Sequence, residues 1–183
     1  MSSHVMCDLE TLDTRPSAVI LSIGACTLDP GSGEITDRFY RAIDLESCQV
    51  AGLTTSESTK KWWAQQSEEA RSVFSDPDRV SLLQALSDFS IFLRMLPGGP
   101  TKVKLWGNGS DFDNVILSNA YGALNFDAPW RFYNNRCYRT VRNCLKHHYV
   151  AEPDRAGTYH NALDDALHQA RILLMLRSHI SWT

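Results

Sequence analysis

Apolar runs and alternating apolar and polar positions divide the first quarter of the chain into strands. The short apolar run at 4–8 predicts a strand, and the apolar, β-branched stretch at 18–29 predicts a central one. Alternation over 35–44 predicts a third strand. The turn sequence PGSGE separates the last two strands, so residues 18–44 are expected to form a hairpin.

Helical spacing dominates the rest of the chain. Apolar residues recur at helical intervals over five segments, which are 58–74, 79–96, 110–123, 137–149 and 162–180. One further strand is expected at 102–109, where KVKLWGNG runs into a glycine turn. Residues 45–56 are expected to be irregular. Residues 124–136 and 151–161 are expected to be loops, the first of which has room for a short strand. This order favours an α/β fold, a mixed sheet with helices on both faces.

Two helix starts carry candidate capping residues. Ser58 or Thr59 is expected to cap the helix at 58–74, because hydroxyl side chains accept hydrogen bonds from the free amides of a first turn. Ser110 or Asp111 is expected to cap the helix at 110–123 for the same reason.

Length and composition indicate one domain, residues 1–183, with an ordinary globular core. The apolar fraction is 43% and the charged fraction is 21%. No apolar run approaches the length of a membrane span, and the N-terminus lacks the pattern of a secretory signal. The five cysteines are odd in number and form no C-x-x-C pair, which favours a reducing, cytoplasmic location.

Four acidic residues lie where strands end or helices begin. Asp8 and Glu10 are two positions apart, so both side chains leave the same face of the first strand. Asp113 and Asp165 fall in the first turns of two helices. Strand ends and helix starts meet at one edge of an α/β sheet. A set of carboxylates at that edge predicts hard cations such as Mg²⁺ or Mn²⁺.

A structural alternative exists for each helix acid. Carboxylates near a helix start often serve as caps or as partners of the helix dipole. Asp111 and Asp164 stand beside the two chosen acids, and periodicity does not choose between the members of each pair. The strand pair Asp8 and Glu10 has few structural uses, because two ionised carboxylates on a buried face are costly.

His160 is a candidate general base. Histidine titrates near neutral pH, which suits removal of a proton from a water molecule. It precedes Asp165 by five residues, so the two side chains would diverge on an ideal helix. We therefore expect His160 in the polar loop before the last helix.

The motifs resemble those of the DEDD exonucleases in their histidine branch, the superfamily that includes the proofreading subunit of bacterial DNA polymerase III. The matching segments are DLET at 8–11, F-D at 112–113 and H-N-A-L-D-D-A at 160–166. The segments STKKWWAQQSEEAR and YRTVRN further resemble the small phage exonuclease A and exonuclease VIII-like group. Relatives often carry HNA-FD where this chain has WGNGSDFD.

The resemblance implies a ribonuclease H-like fold across a single exonuclease domain. It selects Asp113 over Asp111 and Asp165 over Asp164. It implies that the four chosen acids hold two Mg²⁺ or Mn²⁺ ions and that His160 acts as the base. The implied activity is 3′→5′ release of nucleoside 5′-monophosphates. The expected partner is a single-stranded DNA or RNA 3′ end, with a duplex that carries an overhang as the alternative.

Candidate substrate contacts come from the basic and aromatic residues. Arg139 and Arg142 are helix neighbours and could follow a phosphate backbone, although a solvated helix face explains them equally well. Trp62 and Trp63 point about 100° apart on a helix. We assign Trp63 to base stacking, with packing of both rings against the sheet as the alternative. By the resemblance, Thr11 contacts the terminal nucleotide.

The net charge of −3 leaves a second class of function open. Proteins that hold nucleic acid by phosphate neutralisation alone are usually basic, so metal ions would have to supply the charge here. The alternative is a non-catalytic module that grips nucleotides or nucleic-acid ends. A homodimer through the helix at 79–96 is a further expectation.

Overall fold

The computed structural model of the protein describes residues 3–148 and 151–182. Over these residues five strands form one sheet in the order β3-β2-β1-β4-β5. The strands are β1 (His4–Thr11), β2 (Ile20–Asp29), β3 (Glu34–Ala42), β4 (Lys104–Gly107) and β5 (Asn135–Cys137). β2 is antiparallel to β1 and β3, whereas β4 is parallel to β1 and β5. The predicted mixed sheet and the hairpin are therefore confirmed.

Helices cover both faces of the sheet. They are α1 (Leu45–Val50), α2 (Glu57–Trp63), α3 (Glu68–Arg71), α4 (Leu82–Met95), α5 (Asp113–Ala123), α6 (Tyr138–Leu145) and α7 (Ala162–Met175). One apolar cluster joins the sheet to α4 and α5, and a second joins the opposite face to α7. In the described part of the chain, every helix is too short or too polar to cross a membrane.

Several predicted helix boundaries are wrong, mainly because side-chain caps start helices at other places. The single helix expected at 58–74 is two helices, since the hydroxyls of Ser56 and Ser67 each cap a start. Asp44 caps α1, which falls in a segment expected to be irregular. α5 begins after Phe112 with no side-chain cap, so neither Ser110 nor Asp111 serves there.

The ends of the last two helices also differ from the prediction. α6 stops at Leu145, and α7 stops at Met175 before a 3₁₀ turn at Arg177–His179. Residue 149, part of the predicted helix at 137–149, lies outside the described residues.

Candidate active site

Strand β1 places two buried carboxylates under helix α7. β1 extends to Thr11, so Asp8 and Glu10 lie within the strand and not at its end. Met6 shares their face of the strand and packs in the apolar cluster of α7. Gln169 of α7 donates from Nε2 to Asp8 Oδ1 at 2.7 Å. The side-chain amide of the helix therefore fixes the orientation of the Asp8 carboxylate.

Helix α5, which follows the neighbouring parallel strand β4, adds a third carboxylate. Asp113, the first residue of α5, is only 2% exposed. The backbone N–H of Leu9 donates to Asp113 Oδ1 at 3.2 Å, which joins α5 to β1. A Cβ on Gly107, the last residue of β4, would lie 2.9 Å from the Asp113 Cβ, so the glycine permits this close approach.

A glycine in β2 brings the fourth carboxylate to the site. A Cβ on Gly24 would lie 2.1 Å from the backbone of the first turn of α7. Gly24 is the sheet partner of Asp8, so the helix starts directly beside that residue. Asn161 caps α7 by accepting from two backbone N–H groups. The result is that a carboxylate oxygen of Asp165, in the first turn, lies within 4.8 Å of one of Glu10.

The structure distinguishes the chosen helix acids from their neighbours. Asp164 accepts a hydrogen bond from the backbone N–H of Thr158 at 2.8 Å, which closes the preceding loop. Asp165 instead faces Glu10. Asp111 is exposed to solvent, two residues before the buried carboxylate of α5. Asp164 and Asp111 therefore play local roles outside the carboxylate cluster.

Burial and mutual repulsion make the cluster costly to ionise. Burial, together with the charges of Asp113, Glu10 and Asp165, raises the pKa of Asp8 well above its ordinary value. Burial and the neighbouring Asp165 raise the pKa of Glu10 in the same direction. Burial also raises the pKa of Asp113 to about 7, against the opposing backbone N–H of Leu9. The cluster therefore favours binding of positive charge.

The loop at 151–161 places a histidine and an arginine on this cluster. His160 has a φ of 62°, a conformation that residues with a side chain rarely adopt, and its backbone N–H donates to Asp165 Oδ2 at 3.0 Å. Potential ligand atoms of Glu10, His160 and Asp165 all lie within 4.8 Å of one another. Arg155 forms an ion pair with the other oxygen of Asp165.

A pocket of about 370 Å³ opens beside the carboxylates. It is lined in part by Leu9, Glu10, Thr11, Thr14, Trp62 and Phe112. The Trp62 ring is 41% exposed and lies edge-on to the His160 ring, with centroids 4.8 Å apart. Thr11 lines the pocket as the sequence suggested, although its hydroxyl donates to the carbonyl oxygen of Asp13 at 2.7 Å.

Trp63 does not occupy the position assigned to it from the sequence. It is 2% exposed, and its indole N–H donates to the carbonyl oxygen of Thr11 at 2.8 Å. Its ring packs against Phe74 in the core. Base stacking by Trp63 is therefore ruled out by burial, and the exposed neighbour Trp62 takes its place on the pocket wall.

The two candidate arginines of α6 have different surroundings. Arg139 donates from Nη2 to the carbonyl oxygen of Asn108 at 2.7 Å, in the turn that leads to Asp113. Arg142 forms an ion pair with Glu152. Arg139 therefore lies near the carboxylate cluster. The charge of Arg142 is instead neutralised by the carboxylate of Glu152.

Comparison with known proteins identifies the family. The sequence model of the 3′-5′ exoribonuclease Rv2179c-like domain matches residues 3–176. The chain belongs to the Rv2179c-like family of 3′-5′ exoribonuclease domains. The 3′-5′ exonuclease activity predicted from the motifs is thereby confirmed.

Other relatives of this Rv2179c-like protein are also exonucleases. An exodeoxyribonuclease of Enterobacteria phage T4 is 27% identical over 155 residues, covering 73% of this chain and 67% of the relative. The nuclease domain of 3′hExo, a DEDDh family member bound to rAMP, superposes with a TM-score of 0.66 at 16% identity, covering 97% of this chain and 92% of that one. Exonuclease I of E. coli in complex with a dA16 oligonucleotide superposes with a TM-score of 0.64 at 14% identity, covering 97% of this chain and 41% of that one. These structures confirm the ribonuclease H-like fold.

The donor set of this family member fits a metal site. Exonucleases of the DEDDh type depend on metal ions. Here the carboxylates of Glu10 and Asp165, with the imidazole of His160 beside them, form a group that could hold a metal ion. Among the described residues, the buried Asp113 Oδ2 has no hydrogen-bond partner. This oxygen is therefore available to a ligand. Carboxylate oxygens suit Mg²⁺ or Mn²⁺.

Four residues that contact or line the candidate site were assigned no role from the sequence. Gly24 had a readable signal, since an isolated glycine in an apolar strand often marks the close approach of another backbone. Gln169 and Arg155 had none, because their roles depend on the packing of α7 and of a loop. Trp62 was considered, but the sequence does not fix which face of α2 is buried.

Proposed function

We propose that this protein is a two-metal-ion 3′→5′ exonuclease that releases nucleoside 5′-monophosphates from single-stranded nucleic-acid ends. The observation that carries the proposal is the meeting of Asp8, Glu10, Asp113 and Asp165 with His160 around the central strand β1. Asp8 and Asp113 would complete a two-ion site with the Glu10 and Asp165 pair. Bound Mg²⁺ or Mn²⁺ ions would activate a water and stabilise the departing oxygen.

His160 is the proposed general base. Its ring lies between the exposed face of Trp62 and the carboxylates, with a potential ligand atom within 4.8 Å of those of Glu10 and Asp165. From this place the imidazole takes a proton from the attacking water. The strained backbone of His160 is held by the hydrogen bond to Asp165 Oδ2.

The pocket beside the carboxylates is the proposed site of the terminal nucleotide. The base lies against Trp62 and Phe112, and the sugar lies near Leu9 and Thr11. Arg139, beside the turn before Asp113, is better placed than Arg142 to contact a phosphate.

The experiment is a gel assay on 5′-labelled single strands of RNA and DNA with the same sequence. A ladder that shortens from the 3′ end with Mn²⁺, and that disappears with EDTA and in Asp165→Ala, supports the proposal. The family description names RNA and the phage relative's name indicates DNA, so the faster strand identifies the substrate. Metal-dependent retention of either strand without shortening would support the binding module instead.

Two further expectations belong to this proposal. Five free cysteines fit a protein of a reducing, cytoplasmic compartment. Leu83, Ile91 and Met95 are exposed on α4 at intervals of four or eight residues, so they form one apolar stripe that would pair two copies of the chain. Light scattering on wild type and Met95→Glu measures whether a dimer forms through this stripe.

A further inference from the structure

A guanidinium group occupies the carboxylate cluster. Arg155 forms an ion pair with Asp165 Oδ1, and its side chain is 13% exposed although it belongs to an otherwise exposed loop. The same charge opposes the rise in the pKa of Glu10. Arg155 therefore neutralises part of the repulsion that the four carboxylates create.

Apart from this ion pair, Arg155 is held by weak contacts. Its guanidinium lies over the Tyr159 ring at 3.9 Å, and Nη2 also reaches the carbonyl oxygen of Thr158 at 3.3 Å. Its Nε has no hydrogen-bond partner in the described residues although it is buried. A buried guanidinium with an unused donor and a single strong partner is poised to exchange that partner.

Arg155 and a metal ion would compete for the negative charge of Asp165. Oδ1 accepts from Arg155, and Oδ2 accepts from the backbone N–H of His160. A cation held by the carboxylates of Asp165 and Glu10 would repel the guanidinium beside it. Metal binding and the ion pair with Arg155 therefore compete for Asp165.

We propose that Arg155 is a counter-cation that a metal ion displaces from Asp165, and that the freed guanidinium then binds a phosphate of the substrate. This inference rests on the proposed function, because it assumes metal binding at the carboxylates. The fork of N–H donors on arginine matches the geometry of a phosphate, and Thr158 and Tyr159 keep the freed group next to the site.

The proposal predicts effects of opposite sign in Arg155→Gln. Removing a competing cation tightens Mn²⁺ binding, by roughly 5- to 150-fold if the coupling has the usual size. Removing a phosphate ligand weakens the binding of adenosine 5′-monophosphate to the Mn²⁺-loaded protein. A residue with a purely structural role would weaken both, so the opposite signs are specific to this account.

Isothermal titration measures both affinities on the full chain. Arg155→Lys keeps the charge without the fork, so its Mn²⁺ affinity should lie between those of wild type and Arg155→Gln. Arg41→Gln is the matched control, because Arg41 pairs with Asp88 at 2.7 Å on α4 and has no contact with the carboxylates. Its two affinities should equal those of wild type.

The possible outcomes separate this inference from the proposed function. Equal or weaker Mn²⁺ binding in Arg155→Gln, with binding intact in wild type, would overturn the displacement alone. Tighter Mn²⁺ binding with unchanged nucleotide affinity would overturn the phosphate contact. Absence of Mn²⁺ binding in wild type and Arg155→Gln alike would overturn the proposed function and this inference with it.

Discussion

The carboxylate cluster is assembled from two halves that are held in place by different means. In the sheet half, Asp8, Glu10 and Asp113 project from buried backbone, and the amide of Leu9 fixes the last of them. In the loop half, Arg155 and His160 are joined by contacts within residues 151–165 to Asp165, the acid at the start of α7. The comparison teaches that burial holds the carboxylates of the sheet half together, whereas a guanidinium neutralises part of the charge in the loop half.

Each half implies a distinct contribution to catalysis. The sheet half keeps its carboxylates together whether or not a cation is present, at the cost of raised pKa values. The loop half adds a cation and an imidazole to the carboxylates, through the ion pair of Arg155 and the backbone hydrogen bond of His160 to Asp165. Substitutions in the two halves should therefore have separable effects on metal binding, on turnover and on substrate affinity.

Asp113→Asn should reduce nuclease activity to the background of the assay while the protein stays folded. The variant keeps the shape of the side chain but removes a negative charge that a divalent cation needs. Gel assays and thermal melts measure the two properties. Asp111→Asn, at an exposed position two residues away, is the control and should keep full activity. Comparable activity in the two variants would remove Asp113 from the site.

His160→Gln should lower kcat by roughly 10²- to 10⁴-fold, the usual contribution of a general base. Its Mn²⁺ affinity should remain close to that of wild type if the imidazole moves a proton and does not bind metal. Single-turnover kinetics and calorimetry measure the two quantities. His179→Gln, on the exposed 3₁₀ turn, serves as the control. Loss of metal binding in His160→Gln would make the residue a ligand.

Gln169→Leu should lower activity or metal affinity by roughly 10- to 100-fold, as loss of an outer-shell partner usually does. The leucine fills the space but cannot donate to Asp8 Oδ1. Metal titration and kinetics on the folded variant test this. Unchanged values would show that burial alone orients the carboxylate of Asp8.

Trp62→Ala should raise KM with little change in kcat, because the ring lines the pocket proposed for the terminal base. Loss of one stacked base costs about 1–3 kcal/mol, which corresponds to roughly 5- to 150-fold in affinity. Steady-state kinetics on short single strands give the two constants. A fall in kcat at constant KM would instead indicate that Trp62 positions His160.

The stability of the metal-free protein should fall as pH rises from about 4 to about 7. The pKa of Asp113 is about 7 in the folded state and about 3.9 in an unfolded chain, so the folded state holds its proton more tightly. The stabilisation is present below the unfolded value and is lost as pH rises through the folded one. Thermal melts of wild type and Asp113→Asn should show the smaller loss in the variant. Parallel curves would contradict the raised pKa.

The sequence predicts the sheet half better than the loop half, for a physical reason. Side chains alternate between the two faces of a strand, so Asp8 and Glu10 lie on the same face of β1. This alternation is strongly specified wherever a face of the sheet is buried. The loop has no period, so the ion pair between Arg155 and Asp165 emerges only from tertiary structure. The same limit explains Trp63, since helix spacing gives the angle between adjacent rings but not which ring faces the core.

Counting the bound metal ions tests most directly whether the two halves form one site. The account predicts that Mn²⁺ titration of wild type gives two ions per chain and that Asp113→Asn and Asp165→Asn each bind fewer. This follows because every ion needs carboxylates from both halves. One ion or none in wild type, or unchanged binding in both variants, would contradict the shared two-metal site.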